Sequence, residues 1–499
     1  MSQAPTQRAR VGAALPLLLG ALCLAQLVLV AAGLPLVRTI PAWFYAPRPR
    51  GLGAAWAMAG VCVLGPWLVA VTVRAARAGS MARTCLAALA LGLLTQALFV
   101  PLDAERMESL LTRHEGGHAE FHTTARARRG AVLSTLRHYD EQAASGELGA
   151  FPPSKPPGAL AVYAALDALG RGPLAGHLQP LRTLARERPR VASIEDGFVA
   201  ASFGFPLFTA LLLPLMVALG VRLHGGDSPV ERQAGLQAGA AAAVLAATSP
   251  AMLLITYHLD GALYPLFAML TLIPVSSAMR VHGPSGGAAL SARVLALGTL
   301  GGVVFGVGLY VSYSLLPVLG LVLGVPLAFG LATPHRARPL RRAALVLLGF
   351  ALGALGVTAL LAWTLAFHPV ERFVAAMAYH ARWKAGVPSG PWRGWALLEW
   401  ALYAGFPLVG LLLWRAAASL ARLRDARRIA STLLPVGAVA LLLVMSALSG
   451  TNEVARMWLF MVPVAALAAV SAPFDSRRVS ALAAGQLLLA LVMKANQVW

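Results

Sequence analysis

Apolar residues along this chain fall in long, nearly uncharged runs separated by short segments rich in arginine, proline and glycine. The runs lie near 13–33, 54–76, 83–101, 197–221, 234–256, 259–279, 291–311, 313–332, 343–366, 395–414, 430–449, 457–472 and 479–495. Most are long enough to cross about 30 Å of hydrocarbon as a helix. The pattern therefore predicts an all-α integral membrane protein with about 13 transmembrane helices. One hydrophilic stretch interrupts it, between residues 102 and 196. Inside that stretch 157–170 is apolar but only about 14 residues long, which suits an interfacial or re-entrant helix better than a span. The expected organisation is a three-helix segment 1–101, an extracytoplasmic acidic loop 102–196 carrying short amphipathic helices, and a ten-helix bundle 197–499.

Composition agrees with the pattern. Hydrophobic residues make up 58% of the 499 positions and charged ones 12%, where a soluble domain has about 25%. Mean hydropathy is +0.70. The net charge of +21 would suggest nucleic acid in a soluble protein. Here the cations follow the membrane instead. With the N-terminus inside, the cytoplasmic segments hold 20 Lys and Arg, the short outer segments nine, and the 102–196 loop the other 12. Long loops translocate largely regardless of charge, so 20 against nine decides the orientation. The expectation is a multi-pass protein of the cell (inner) membrane, N-terminus cytoplasmic and C-terminus outside, with membrane lipids and not nucleic acid as partners. Cys23, Cys62 and Cys85 lie in separate runs without metal-binding spacing and read as apolar filler.

The acids are distributed unevenly. Twelve of 20 lie in the 102–196 loop, with five of 11 histidines. Asp103 and Glu105 directly follow the run ending at Val100, and Glu120 lies further along. Carboxylates at that boundary can act as a general base or hold a divalent cation against a phosphate. Asp260 interrupts an apolar stretch, and Glu453 and Arg456 sit between two spans. Ionisable groups at such depths are costly to hold and mark functional candidates. A second outer segment, 368–400, carries Arg372, His380, Arg382 and Lys384 among tryptophans. It reads as an aromatic belt or as a lipid-phosphate site.

His114-Glu115-Gly116-Gly117-His118 fits HExxH, and Leu259-Asp260-Gly261 is similar to the LDG of intramembrane site-2-type zinc proteases. That resemblance would make His114 and His118 metal ligands. Two glycines inside the motif, each weakening a helix by about 1 kcal/mol, and the polar surroundings argue against it.

A second resemblance spans more of the chain. Ser145-Gly146-Glu147-Leu148 followed by Ser154-Lys155-Pro156-Pro157-Gly158 looks like the segment closing the first large outer loop of many GT-C glycosyltransferases. Ser249-Pro250-Ala251-Met252-Leu253-Leu254 with Asp260-Gly261-Ala262-Leu263-Tyr264 is similar to a later helical hairpin of those proteins. Glu453 through Pro463 resembles the E-x-x-R-x-W-L-F-x-x-P of a bacterial branch. The resemblance implies an inverting enzyme that moves a sugar from a polyprenyl-phosphate carrier to an extracytoplasmic lipid, glycan or protein. It makes an acid of the outer loop the base, with Glu120, Asp103 and Glu105 as candidates. Lys155, Arg456, Glu453, Asp260, Arg372, His380, Arg382 and Lys384 become candidates for binding the lipid phosphate and sugar. Two features depart from the family: the loop follows the third run instead of the first, and Lys155 stands where a histidine is usual. A lipid or polysaccharide transporter is the competing class, with the acids as a relay.

Overall fold

The computed structural model describes residues 5–33, 44–45, 52–102, 117–180, 183, 195–255, 259–281, 288–331, 337–383, 392–421, 429–448, 454–470 and 475–498. Helices dominate them, beside one two-residue antiparallel pairing of Phe44–Tyr45 with Gln497–Val498. Among the described residues, seven helices are long and apolar enough to cross a membrane: Ala54–Arg77, Met81–Leu102, Gly197–His224, Gly261–Met279, Ala288–Val311, Pro339–Leu365 and Ser476–Asn496. The chain thus has a multi-pass membrane architecture.

The other six apolar runs take different forms, and local chemistry explains two of them. The run 234–256 is split: helix Pro229–Ala247 ends at Thr248, and Ser249 caps the five-residue helix Pro250–Leu254. Proline lacks the N–H and the φ freedom to continue a helix, so Ser-Pro restarts one. The run 395–414 bends by 109° between Trp395–Ala404 and Phe406–Leu420. Gly405 sits at the bend with φ +92°, a value that L side chains rarely adopt. Shorter helices, Leu15–Ala31, Tyr313–Leu327, Leu433–Leu448 and Met461–Ala469, account for the rest.

Contacts divide the chain into two units. These regroup the sequence-order segments instead of following them. The first comprises 1–104, 210–255 and 389–499; the second comprises 105–209 and 256–388.

In the first unit, two buried glutamines serve the helix breaks. Gln26 donates to Leu402 O at 2.6 Å and accepts from Phe406 N at 2.7 Å, so one side chain bridges the Gly405 bend. Gln486 donates to Ala404 O at 3.3 Å and accepts from the Thr248 hydroxyl at 2.9 Å. Backbone groups freed inside a bilayer find no water, so their partners must come from the protein.

In the second unit, helices Ala288–Val311 and Ala337–Leu365 run parallel in close contact. Gly298, Gly302 and Gly306 face Val346, Phe350 and Val357, while Gly349 and Gly353 face Leu295 and Thr299. Glycines four apart let helix backbones meet, as small residues do generally in membranes. Parallel packing puts Tyr310 and Thr364, near the C-terminal ends of these helices, at one end of the unit.

The polar loop helices are anchored there. Arg137, closing helix Val132–Arg137, donates from Nε and Nη2 to Thr364 O at 3.1 and 3.0 Å. Helix Pro157–Arg171 packs its Gly158 against Tyr310, leaving no room for a side chain at 158. That helix is 15 residues long, too short to span.

Candidate functional site

The loop that resembles the glycosyltransferase segment is fixed as a rigid corner of the second unit. Helix Gly117–Ala127 presents Glu120, whose Oε2 accepts the Phe151 N–H at 2.7 Å. Gly149 makes this approach feasible: its φ is +83°, and a Cβ there would lie 2.6 Å from Glu120 Oε2. Gly146, φ +81°, closes helix Tyr139–Ser145 in the left-handed conformation. Lys155 extends over Phe151, with Nζ 5.8 Å from the ring centroid. The carboxylate of position 120 therefore meets the backbone of Phe151, and the ammonium of position 155 meets its ring.

The two prolines next in the corner are held by Tyr139 and Arg372. The Tyr139 hydroxyl donates to Pro152 O at 2.6 Å. Arg372 donates from Nη2 to Pro153 O and from Nη1 to Asp140 Oδ1, the latter at 2.6 Å. Its guanidinium lies 5.6 Å from the Tyr139 ring centroid. Burial pushes the Tyr139 phenol far above its usual range, with Arg372 pulling against it, so Tyr139 stays a neutral donor. Tyr313 donates to Pro369 O at 3.3 Å and meets the Phe373 ring edge-on. Arg372 Nε and the Tyr310 hydroxyl are buried with no hydrogen-bond partner among the described residues.

Behind the corner lies an aromatic core. His118 and His122 are four apart on helix Gly117–Ala127, and both face Tyr163. His118 Nδ1 and the Tyr163 hydroxyl are 2.9 Å apart, and His122 meets the same ring edge-on at 4.6 Å. Phe121 stacks on Tyr163 at 5.0 Å. The base of the core is electrostatic. Asp167 receives Arg129 through two bonds of 2.6 and 2.8 Å, and Arg171 through a third of 3.1 Å. Burial alone would raise the Asp167 carboxyl, but the two guanidiniums hold it below the usual carboxylate range.

The sequence candidates are distributed as follows. Glu120, Lys155, Arg372, His380 and Arg382 all belong to the second unit. Arg382 is exposed, with its guanidinium 4.9 Å from the Tyr379 ring centroid, and His380 is half-buried. Arg456 belongs to the first unit, on the short helix Val454–Met457. Asp103, Glu105, Glu453, Lys384 and His114 lie outside the described residues, as does the Asp260 side chain, although helix Leu259–Met279 includes that position. Among the described residues no three His, Cys, Asp or Glu side chains cluster as a metal site.

Several residues of the site carry little signal in the sequence. Asp140, Tyr139, His122 and Tyr163 look like ordinary loop residues. The spacing of His118 and His122 was the one available clue to a shared face. Glu399 of the first unit is similar: it is 1% exposed in an apolar helix and accepts from Ala455 N at 3.2 Å, next to Arg456.

Chemically, the corner offers a carboxylate and an ammonium that both contact Phe151, on a backbone held by Tyr139 and Arg372. No family model, curated protein or solved structure matches the chain.

Proposed function

We propose that the protein is a GT-C-like glycosyltransferase of the cell (inner) membrane, taking a sugar from a polyprenyl-phosphate carrier and passing it to an extracytoplasmic acceptor. The observation that carries this reading is that Glu120 and Lys155 both meet Phe151, the first at its backbone N–H and the second over its ring, in the loop that carries the resemblance. Acceptor activation needs a carboxylate to take the proton of a hydroxyl or amine. A departing lipid phosphate needs cations.

Glu120 Oε2 is occupied by the Phe151 N–H, which orients the carboxylate and leaves Oε1 for an acceptor. Lys155 supplies positive charge at the same corner. Arg372 acts one step back, holding Pro153 in place and so positioning Lys155 two residues later. Asp103 and Glu105 remain the other candidate bases on the sequence pattern.

The sidedness of the second unit supports the same reading. The loop helices are tied to Tyr310 and Thr364, both at helix ends that the arginine count assigns to the extracytoplasmic face. The polyprenyl-phosphate carrier presents its sugar on that face in this scheme.

Mass spectrometry of cell-envelope glycans tests the proposal. Cells lacking the protein should lose one defined sugar substituent, and the full chain should restore it. Unchanged glycans, lipids and surface proteins in such cells would overturn it. Loss of whole glycan export instead would favour transport.

A further inference from the structure

The first unit contains a slot that the glycosyl-transfer reading does not use. Helices Pro5–Ala31, Phe406–Leu420 and Ser476–Asn496 enclose a partly open cavity of about 390 Å³. Leucines such as Leu15, Leu19, Leu24 and Leu27 line its length, and Arg415, Asp475 and Arg478 also line it.

The polar residues gather at one end. Helix Phe406–Leu420 runs antiparallel to Pro5–Ala31: Phe406 meets Gln26, and Gly410 faces Leu22 and Leu19. Arg415 is therefore carried toward Leu15. Gly485 faces Cys23, and Arg478 lies two turns before it, at the start of helix Ser476–Asn496. The arginine count assigns Arg415 and Arg478 to the cytoplasmic side.

Dimensions restrict the occupant. From Leu15 to Leu27 the slot follows the first helix for about 18 Å, slightly more than one leaflet of hydrocarbon. The cavity of about 390 Å³ is elongated and apolar, lined along its length by leucines of the first helix. A single hydrocarbon chain fits. Two arginines against one aspartate leave net positive charge at the end where a headgroup would sit, and guanidinium matches phosphate oxygens with paired donors.

We infer that this slot binds one anionic glycerophospholipid of the cytoplasmic leaflet, with an acyl chain between the three helices and its phosphate at Arg415 and Arg478. The site goes beyond the glycosyl-transfer proposal and does not rest on it.

Native mass spectrometry of the full chain in detergent, with equal amounts of phosphatidylglycerol and phosphatidylcholine, tests it. The wild-type chain should retain one phosphatidylglycerol with about tenfold preference. Arg415→Gln with Arg478→Gln should reduce that preference to about twofold or less. Gly20→Leu is the second variant: Gly20 lines the slot and its Cβ position has nothing within 4 Å, so the new side chain fills the slot without disturbing a neighbour. It should abolish retention while leaving the melting temperature unchanged. Equal retention of both lipids by the wild-type chain, or undiminished phosphatidylglycerol in folded Gly20→Leu, overturns the proposal as non-selective annular lipid.

Discussion

Arg372 and Asp140 are 232 residues apart in sequence and 2.6 Å apart in the second unit. The pair joins the loop helix Tyr139–Ser145 to the later helix Pro369–Trp383, and through Pro153 it fixes the corner that carries Glu120 and Lys155. The two partners are not equivalent, since the Arg372 side chain is 3% exposed and that of Asp140 51%.

That asymmetry predicts unequal mutant costs. Asp140→Ala strands a buried guanidinium with Pro153 O as its remaining acceptor among the described residues. It should destabilise by about 1–3 kcal/mol, toward the low end because water reaches Asp140. Arg372→Met also takes the donor from Pro153 O, but it removes the buried charge itself and leaves a carboxylate that water can solvate, so it should cost less. Thermal melting of the purified chain in detergent measures the order, and an Arg372→Met more damaging than Asp140→Ala would refute it.

Acid should loosen the aromatic core through Asp167. Its folded pKa lies below the unfolded value of about 3.9, so its contribution is complete above that value and is lost as pH falls through the folded pKa. Melting temperature should therefore show no Asp167-dependent change between pH 7 and 5 and a decline below about pH 4. In Asp167→Asn that acid-dependent part should vanish, which a pH series on both proteins reads directly.

Gln26→Leu raises hydropathy yet should destabilise. It removes the acceptor for Phe406 N and the donor to Leu402 O, at a bend inside the apolar bundle. Each backbone group left unsatisfied costs about 1–3 kcal/mol. A melting temperature at or above wild type would show that the bend is satisfied in another way.

Gly158→Ala places a methyl against the backbone carbonyl of Tyr310, which cannot rotate aside. Overpacking of this kind costs about 1–3 kcal/mol. Limited proteolysis should cut the 146–158 loop faster in the variant, while Gly130→Ala serves as a comparison, since Gly130 has open space around its Cβ position but a φ of +83°.

Much of the fold was legible in the sequence, and the exceptions have physical causes. Seven runs became single long helices because hydropathy and length suffice to specify a span. The run 395–414 did not, because one glycine barely lowers the hydropathy of an apolar run, and the Gln26 and Gln486 partners from distant helices make the bend at Gly405 tolerable. The Ser249-Pro250 break was visible as a motif but not as an interruption. At the site, Glu120, Lys155 and Arg372 stood out as charges near a membrane. Asp140 and Tyr139 did not, since their importance comes from Arg372, more than 200 positions away. Local patterns cannot reveal pairings of that range without a second sequence.

The most direct test of the account is sugar transfer by the purified full chain, supplied with a polyprenyl-phosphate-linked sugar and an envelope extract as acceptor. Transfer should release polyprenyl phosphate and invert the anomeric centre. Glu120→Gln, whose amide oxygen can still accept the Phe151 N–H, should lower turnover by about 10²–10⁴-fold with the melting temperature preserved. No turnover by the wild-type chain with any such donor, or turnover unaffected by Glu120→Gln, Asp103→Asn and Glu105→Gln alike, would contradict it.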